Sequence, residues 1–162
     1  MQYQDNVFLK SLHDLKFKLY RSKPFGNCFF NSISKYLRLS ENIQHSGMKI
    51  RQQLVKYIEE TPFILEYLQQ IGGMSMEQIA EDLQELKQTG VYDLDIFDFL
   101  PTIVATQYRI KVVIYTWMDF SSTILNDNDK EVYHPVNHIK PRGEIHLLYS
   151  NLEHYDLLIP NK

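Results

Sequence analysis

The spacing of apolar residues changes from helical to strand-like along this chain. In the first part, apolar residues recur every three to four positions, which is the period of an amphipathic helix. Segments with this pattern predict helices at Cys28 to Leu37, about Gly47 to Glu59, Ser75 to about Gly90, and Ile96 to Ala105, and Phe63 to Ile71 is a shorter apolar segment that Gly72-Gly73 ends. Later segments are rich in residues that favour strands, which predicts strands at Arg109 to Tyr115, Ile145 to Tyr149 and Tyr155 to Ile159. Helices that precede strands in this way indicate an α+β fold.

Local signals refine this prediction at several element ends. Ser75 followed by Gln78 is a capping-box pattern that opens a helix. Pro101 must lie either in the first turn of its helix or at a kink. The run Asn126 to Asp129 is a turn signal, so a hairpin is expected between Trp117 to Ile124 and Glu131 to Tyr133.

The composition fits one intracellular globular domain. We expect residues 1–162 to form a single catalytic domain, with residues 1–18 as an N-terminal extension or first helix. The chain is 44% hydrophobic and 23% charged, which is ordinary for a globular protein. No apolar run approaches the roughly 20 residues that cross a bilayer, and the first residues lack a signal-peptide pattern. The net charge of −3 gives no general attraction to nucleic acid, so no nucleic-acid partner is expected. We also expect a monomer with no membrane partner.

The single cysteine and a distant histidine suggest thiol chemistry. One cysteine excludes an intramolecular disulfide and fits the reducing cytoplasm. Cys28 lies where a helix is predicted to begin, and the positive end of the helix dipole favours a thiolate there. A thiol nucleophile needs a base, and the base needs an acceptor that fixes its orientation. His154 and Asp156 supply these two groups, and residues two apart on a strand project from the same face. The sequence therefore predicts a catalytic triad of Cys28, His154 and Asp156.

Each of these three residues also has a structural interpretation. A lone cysteine is often a small buried hydrophobic residue. In the structural interpretation, His154 is a hydrogen-bonded core histidine. Asp156 in that case ends a strand pair or faces solvent. The sequence pattern around Cys28 favours the catalytic interpretation.

Four ordered segments between Leu19 and Pro160 follow the pattern of a known enzyme family. They are Gly26 to Ile33, which includes Gly-Asn-Cys before a helix, His45 to Ile58 with Arg51, Asp98 to Tyr115, and Ile145 to Tyr149 followed by His154-Tyr155-Asp156. On these motifs the chain resembles the ovarian-tumour (OTU) cysteine proteases, which cleave ubiquitin or ubiquitin-like modifiers from lysine side chains. The resemblance implies a papain-like fold in which helices flank a small, mostly antiparallel β-sheet.

The resemblance also implies a function. It implies a cysteine-type deubiquitinase that needs no cofactor or metal and whose partner is ubiquitin, polyubiquitin or a ubiquitin-like modifier. The backbone N–H groups of Gly26, Asn27 and Cys28 are expected to form the oxyanion hole. Asn151 and Glu153 are expected to line the groove for the modifier's tail. Cytoplasmic action is expected, in the host cytoplasm if the protein comes from a pathogen.

One departure from the family pattern leaves alternatives open. Phe25 stands where the family has an aspartate three residues before the cysteine. That change favours a second possibility, an impaired OTU-fold module that binds ubiquitin without cutting it. A third possibility is a self-processing protease domain of a larger polyprotein.

The other motifs indicate structure rather than chemistry. His134 and His138 have the spacing of a helical zinc site, but Pro135 follows the first histidine, so no metal site is expected. His146 is expected to be structural or to lie near the rim of the site. The acidic residues Asp93, Asp95 and Asp98 belong either to a helix start or to a surface for a basic partner.

Overall fold

The computed structural model of the chain describes residues 6–22, 26–88, 94–117, 130–150 and 154–161. Within these residues the chain forms six α-helices, a 3-10 helix at Asp95–Phe99 and five strands, which confirms the α+β prediction. None of the described helices has the length and apolar content that crossing a membrane requires. The elements are α1 (Asn6–Asp14), β1 (Phe17–Tyr20), α2 (Cys28–Glu41), α3 (Gly47–Glu60), α4 (Pro62–Gln70), α5 (Met76–Leu86), α6 (Leu100–Tyr108), β2 (Lys111–Trp117), β3 (Lys130–Tyr133), β4 (Glu144–Ser150) and β5 (His154–Pro160).

The five strands form one sheet in the order β1-β5-β4-β2-β3. The pairs β1 with β5, β4 with β5, and β2 with β3 are antiparallel. Strands β2 and β4 run parallel to each other. The expectation of a mostly antiparallel sheet is therefore confirmed.

Helix starts follow the local signals in the sequence, with one difference. The Ser75 hydroxyl accepts a hydrogen bond of 3.1 Å from the backbone N–H of Gln78, as the capping-box pattern predicts. The side chain of Gln78 donates instead to Asp82, at 2.7 Å. Asp82 also accepts from the backbone N–H of Ile96, at 3.2 Å. The Gln78 side chain thus positions a buried carboxylate that connects α5 to the 3-10 helix.

The predicted helix from Ile96 to Ala105 is two elements. The 3-10 helix ends at Phe99, and α6 begins at Leu100 with Pro101 in its first turn. Proline has no N–H to donate there, and the first turn of a helix does not need that donor. Pro101 therefore starts α6 and does not kink it.

Helices cover both faces of the sheet. On one face, buried residues of α2, α3, α5 and α6 pack with alternate strand residues such as Ile145 and Leu147. On the other face, Leu12 of α1 packs with Leu148 and Leu158. The period-two alternation of each strand divides its side chains between the two clusters.

The expected order of helices first and strands later is wrong at the N-terminus. Strand β1 lies between α1 and α2, so one strand precedes the helix that begins at Cys28. The segment from Phe17 to Tyr20 has only four residues, too few for its alternation to stand out in the sequence. It becomes a strand because β5 offers it an edge, with Phe17 opposite Pro160 and Tyr20 opposite Leu157.

The predicted hairpin is also wrong in its pairing. Strand β3 pairs with β2, in a register that sets Tyr133 opposite Val112 and Lys130 opposite Tyr115. The predicted partner, Trp117 to Ile124, lies outside the described residues apart from Trp117, and so does the turn Asn126 to Asp129. This pairing places Glu131 opposite Ile114 and Tyr133 opposite Val112, two β2 residues of the larger buried cluster.

Candidate active site

The start of β5 extends beyond the end of β1. The pairing of these strands stops at Tyr20 opposite Leu157, although β5 begins at His154. The N-terminus of α2 occupies this position, where the backbone N–H of Tyr155 donates to Cys28 Sγ at 3.4 Å. The rings of Phe29 and Tyr155 meet edge to face, with centroids 5.1 Å apart. These contacts anchor the cysteine helix against the strand that carries the histidine.

His154 and Asp156 lie side by side on β5. The distance from His154 Nε2 to Asp156 Oδ1 is 2.8 Å. Asp156 is fully buried, whereas the His154 side chain retains 21% of its exposure. A buried carboxylate needs hydrogen-bond donors, and the backbone N–H of Ser22 provides a second one at 2.8 Å. Asp156 therefore orients an imidazole that solvent still reaches.

The electrostatics of His154 follow from its neighbours. Hydrogen bonds to Asp156 and to Cys28 raise the pKa of His154 to about 9, against a smaller opposing effect of burial. The two ring nitrogens of a histidine are chemically distinct, and a hydrogen bond at one decides what the other can do. Because Nε2 is engaged by Asp156, Nδ1 is the nitrogen left for the thiol. An imidazolium next to a thiol stabilises the thiolate, which is the nucleophilic form.

The residues before Cys28 form a turn at the start of α2. Gly26 has a φ of 84°, a left-handed value that glycine adopts without a steric penalty. Asn27 is the N-cap residue, but its side chain makes no capping hydrogen bond. That side chain accepts instead from Arg51 Nε at 3.1 Å. The first N–H groups of α2 are therefore not capped by Asn27.

The structure brings together Cys28, His154 and Asp156, with Gly26 and Asn27 directly before the thiol. The predicted groove residues Asn151 and Glu153 lie outside the described residues, as do Phe25 and Asp93. His146 lies on β4 opposite Leu158, with Nε2 3.3 Å from Glu144 and its ring 5.0 Å from that of Phe17.

Sequence reasoning assigned no role in the site to Ser22 or Arg51. Ser22 contributes a backbone N–H, which any residue except proline carries, so no sequence signal exists for it. Arg51 does leave a signal, because it lies among the apolar positions of α3 that face the core. A charged residue in such a stripe predicts a buried ion with specific partners.

A polar cavity of about 270 Å³ lies beside Tyr155. The residues that line it include the acidic Asp98 and Glu131 and the aromatic Tyr133, Tyr149 and Tyr155. Tyr149 and Tyr155 stack with ring centroids 4.7 Å apart. Carboxylates and aromatic faces both attract cations.

Comparisons with known proteins find relatives of this chain. No protein-family model matches the chain. The chain is 28% identical over 153 residues to L96 of Tipula iridescent virus, which is named as a ubiquitin thioesterase, and it covers 16% of that protein. It is 26% identical over 140 residues to 232R of Invertebrate iridescent virus 3, named in the same way, and covers 15% of it. The two matches include 89% and 83% of this chain. Because they cover only 16% and 15% of the relatives, this chain corresponds to a small part of each relative.

Solved structures show which fold this is. The OTU domain of OTUD1 superimposes with a TM-score of 0.67 at 15% identity, covering 94% of each chain. This chain has the OTU fold. The OTU domain of Hazara virus, solved bound to ubiquitin, matches with a TM-score of 0.57 at 19% identity, covering 93% of this chain and 85% of that one. The resemblance of the sequence to the OTU family is thereby confirmed.

Proposed function

We propose that this OTU-fold chain is a deubiquitinase, a thiol hydrolase that cleaves isopeptide bonds at the C-terminus of ubiquitin or a ubiquitin-like modifier. The observation that carries the proposal is the position of His154, whose Nε2 lies 2.8 Å from Asp156 on the same strand where the backbone N–H of Tyr155 donates to Cys28 Sγ at 3.4 Å. Thiol hydrolysis requires this order of acid, imidazole and sulfur. We propose residues 1–162 as one catalytic domain.

Each residue of the proposed triad has one role. His154 takes the proton of Cys28, and the sulfur attacks the carbonyl carbon of the isopeptide bond. When the C–N bond breaks, the imidazolium gives its proton to the leaving lysine amine, and a thioester remains on Cys28. His154 then deprotonates a water molecule that attacks the thioester and releases the modifier's carboxylate and the thiol. Asp156 holds the imidazole in the required orientation throughout.

The oxyanion of both steps needs hydrogen-bond donors close to the sulfur. The backbone N–H groups of Gly26, Asn27 and Cys28 are the proposed donors, since they precede or begin α2. The positive end of the α2 dipole adds to their effect. No metal or cofactor takes part in this scheme.

Ubiquitin is the proposed partner because the viral relatives are named as ubiquitin thioesterases and the Hazara virus domain was solved with ubiquitin bound. Asn151 and Glu153 remain proposed groove residues. The cavity with Asp98 and Glu131 is the proposed site for a basic side chain of the substrate, because its charge and its rings favour a cation. The viral relatives also support action in the cytoplasm of a host cell.

The first experiment is reaction of the purified chain with ubiquitin that carries a C-terminal thiol-reactive electrophile, followed by intact mass. A wild-type adduct that is lost in Cys28→Ala and His154→Ala supports the proposal. Replacement of the exposed His134 by Ala is the matched control and should leave the adduct unchanged. No adduct on folded wild type, with saturable ubiquitin binding, would instead support the binding-module alternative. No adduct and no binding would overturn ubiquitin as the partner.

A further inference from the structure

Arg51 is a fully buried cation close to the proposed nucleophile. Its exposed fraction is 0%, and it is one of the largest fully buried side chains among the described residues. A charge without water must be matched by hydrogen bonds, or it costs several kcal/mol. Burial lowers the pKa of Arg51 to about 10, while Cys28 acts in the opposite direction, so the guanidinium remains charged at neutral pH.

Two of the hydrogen bonds of Arg51 go to the residues that precede Cys28. Nη2 donates to the carbonyl oxygen of Gly26 at 2.8 Å, and Nε donates to Asn27 Oδ1 at 3.1 Å. A third bond, from Nη1 to the carbonyl of Leu86 at 2.9 Å, ties the guanidinium to the end of α5. The guanidinium carbon also lies 4.6 Å from the centre of the Phe30 ring. The planar guanidinium is thus held on three sides, and it holds the Gly26–Asn27 segment in turn.

The Gly26 carbonyl and the Asn27 N–H belong to one peptide group. In a planar trans peptide, these two bonds point in opposite directions, and the described chain contains no cis peptide. When Arg51 holds the carbonyl, the Asn27 N–H must therefore point away from Arg51. Glycine permits more backbone orientations than other residues, so a peptide that follows Gly26 needs such a constraint to keep one orientation.

Arg51 also binds the side chain of Asn27. Asparagine at an N-cap position commonly accepts a hydrogen bond from the first turn of its own helix. Here it makes no such bond and accepts from Arg51. The Asn27 side chain is therefore engaged by Arg51 and not by the first turn of α2.

We propose that Arg51 is a positioning residue that locks the Gly26–Asn27 peptide with the Asn27 N–H directed to the oxyanion. This inference rests on the proposed hydrolase function. Arg51 does not touch the substrate; it acts through the peptide group that it holds. Its loss affects the transition state, in which the negative oxygen forms, more than it affects substrate binding.

The test compares Arg51→Lys with Arg38→Lys in the full chain, with a fluorogenic amide at the ubiquitin C-terminus as substrate. Arg38 is exposed on α2, so Arg38→Lys is the matched control. Lysine keeps the charge but cannot donate in two fixed directions at once. We expect Arg51→Lys to lower kcat about 100- to 1000-fold, the size of effect for loss of an oxyanion donor, with KM within about threefold of wild type.

Alkylation of Cys28 by iodoacetamide separates positioning from a general structural role. That displacement forms no oxyanion, so its rate should stay within about threefold of wild type in Arg51→Lys while kcat falls. A parallel fall in both rates, or an unchanged kcat, would overturn the inference. Failure of wild type to cleave the ubiquitin amide would overturn the proposed function instead, so the two failures are distinguishable.

Asn27→Ala provides a second variant in case Arg51→Lys does not fold. It removes one acceptor of Arg51 from a partly exposed position, so folding should be preserved. We expect a smaller loss of kcat than in Arg51→Lys. Where Arg51→Lys folds, the double variant should be no slower than Arg51→Lys alone, because both changes release the same peptide. Additive losses would contradict the proposed coupling.

Discussion

The backbone N–H of Ser22 donates a hydrogen bond of 2.8 Å to Oδ1 of Asp156, a residue 134 positions later. The same oxygen lies 2.8 Å from His154 Nε2. The Ser22 hydroxyl lies 2.7 Å from that of Ser32, which belongs to the cysteine helix α2. The segment after β1 thus connects the acid of the proposed triad to the helix of its nucleophile.

The pair of serine hydroxyls should show strong coupling. Ser32→Ala leaves the buried Ser22 hydroxyl without this partner, and we expect a loss of about 1–3 kcal/mol in the free energy of unfolding. The double variant Ser22→Ala with Ser32→Ala should be closer to wild type than the sum of the single changes, because neither hydroxyl is left unpaired. Urea denaturation measures all four proteins. Strict additivity would show that the hydroxyls do not interact in solution.

Asp156→Asn should shift the pH profile of catalysis. Asp156 is the largest cause of the raised pKa of His154, so removing its charge lowers that pKa from about 9. The imidazolium that protonates the leaving amine then loses its proton at a lower pH. The alkaline limb of the kcat/KM profile therefore shifts to lower pH. We expect kcat to fall by up to about 10⁴-fold, as for the acid of a serine triad. An alkaline limb that stays in place would contradict this role, and Asp14→Asn, at an exposed position, is the control.

His154 should make stability depend on pH. Its pKa is raised in the folded protein from 6.5 to about 9, so its protonation stabilises the fold fully below pH 6.5 and progressively less as pH rises through 9. The difference in unfolding free energy between wild type and His154→Gln should therefore shrink over this range. Chemical denaturation at several pH values measures it, with His134→Gln as the control. A constant difference would mean that the histidine gains no proton affinity on folding.

Gly47→Ala should destabilise the contact between α2 and α3. A Cβ at Gly47 would lie 1.9 Å from Asn31 Oδ1 and 3.1 Å from the Asn31 backbone N. We expect a loss of about 1–3 kcal/mol, the usual effect of overpacking. Adding Asn31→Ala should recover part of the loss by removing the clashing oxygen. No recovery in thermal or urea unfolding would assign the cost to the backbone of α2.

Asp98→Asn should weaken substrate binding more than it slows the chemical step. Asp98 lines the cavity beside Tyr155, where a basic substrate side chain is proposed to bind. Loss of one charge-assisted contact of about 1.5 kcal/mol predicts a rise of KM by about tenfold with little change in kcat. Steady-state kinetics at low and high salt test this, since added salt should reduce the difference. An unchanged KM at low salt would remove Asp98 from the binding site.

Local sequence patterns determined much of the fold. Helices α2 and α3 follow from the spacing of their apolar residues, and Ser75 opens α5 as its capping pattern predicts. Strands β4 and β5 follow from their apolar runs. These signals depend on residues within a few positions of one another, so one sequence suffices to find them.

The proposed chemistry of the site was also predicted from the sequence. The types and order of Cys28, His154 and Asp156 were enough to predict a thiol site, and the spacing of two between the last pair matches their shared position on β5. The resemblance to the OTU family added the identity of the fold. The groove residues Asn151 and Glu153 stay a prediction.

Only the tertiary structure decided β1, the pairing of β3 with β2, and the contacts of Ser22 and Arg51. Each depends on groups brought together from distant parts of the chain. A four-residue strand forms because a sheet edge is available to it. A backbone N–H is the same group in every residue except proline, so the sequence does not show which one will bind the acid. Arg51 is tolerated in the core because it donates hydrogen bonds to oxygen atoms of two other segments, Gly26–Asn27 and Leu86. Only folding brings these segments to Arg51.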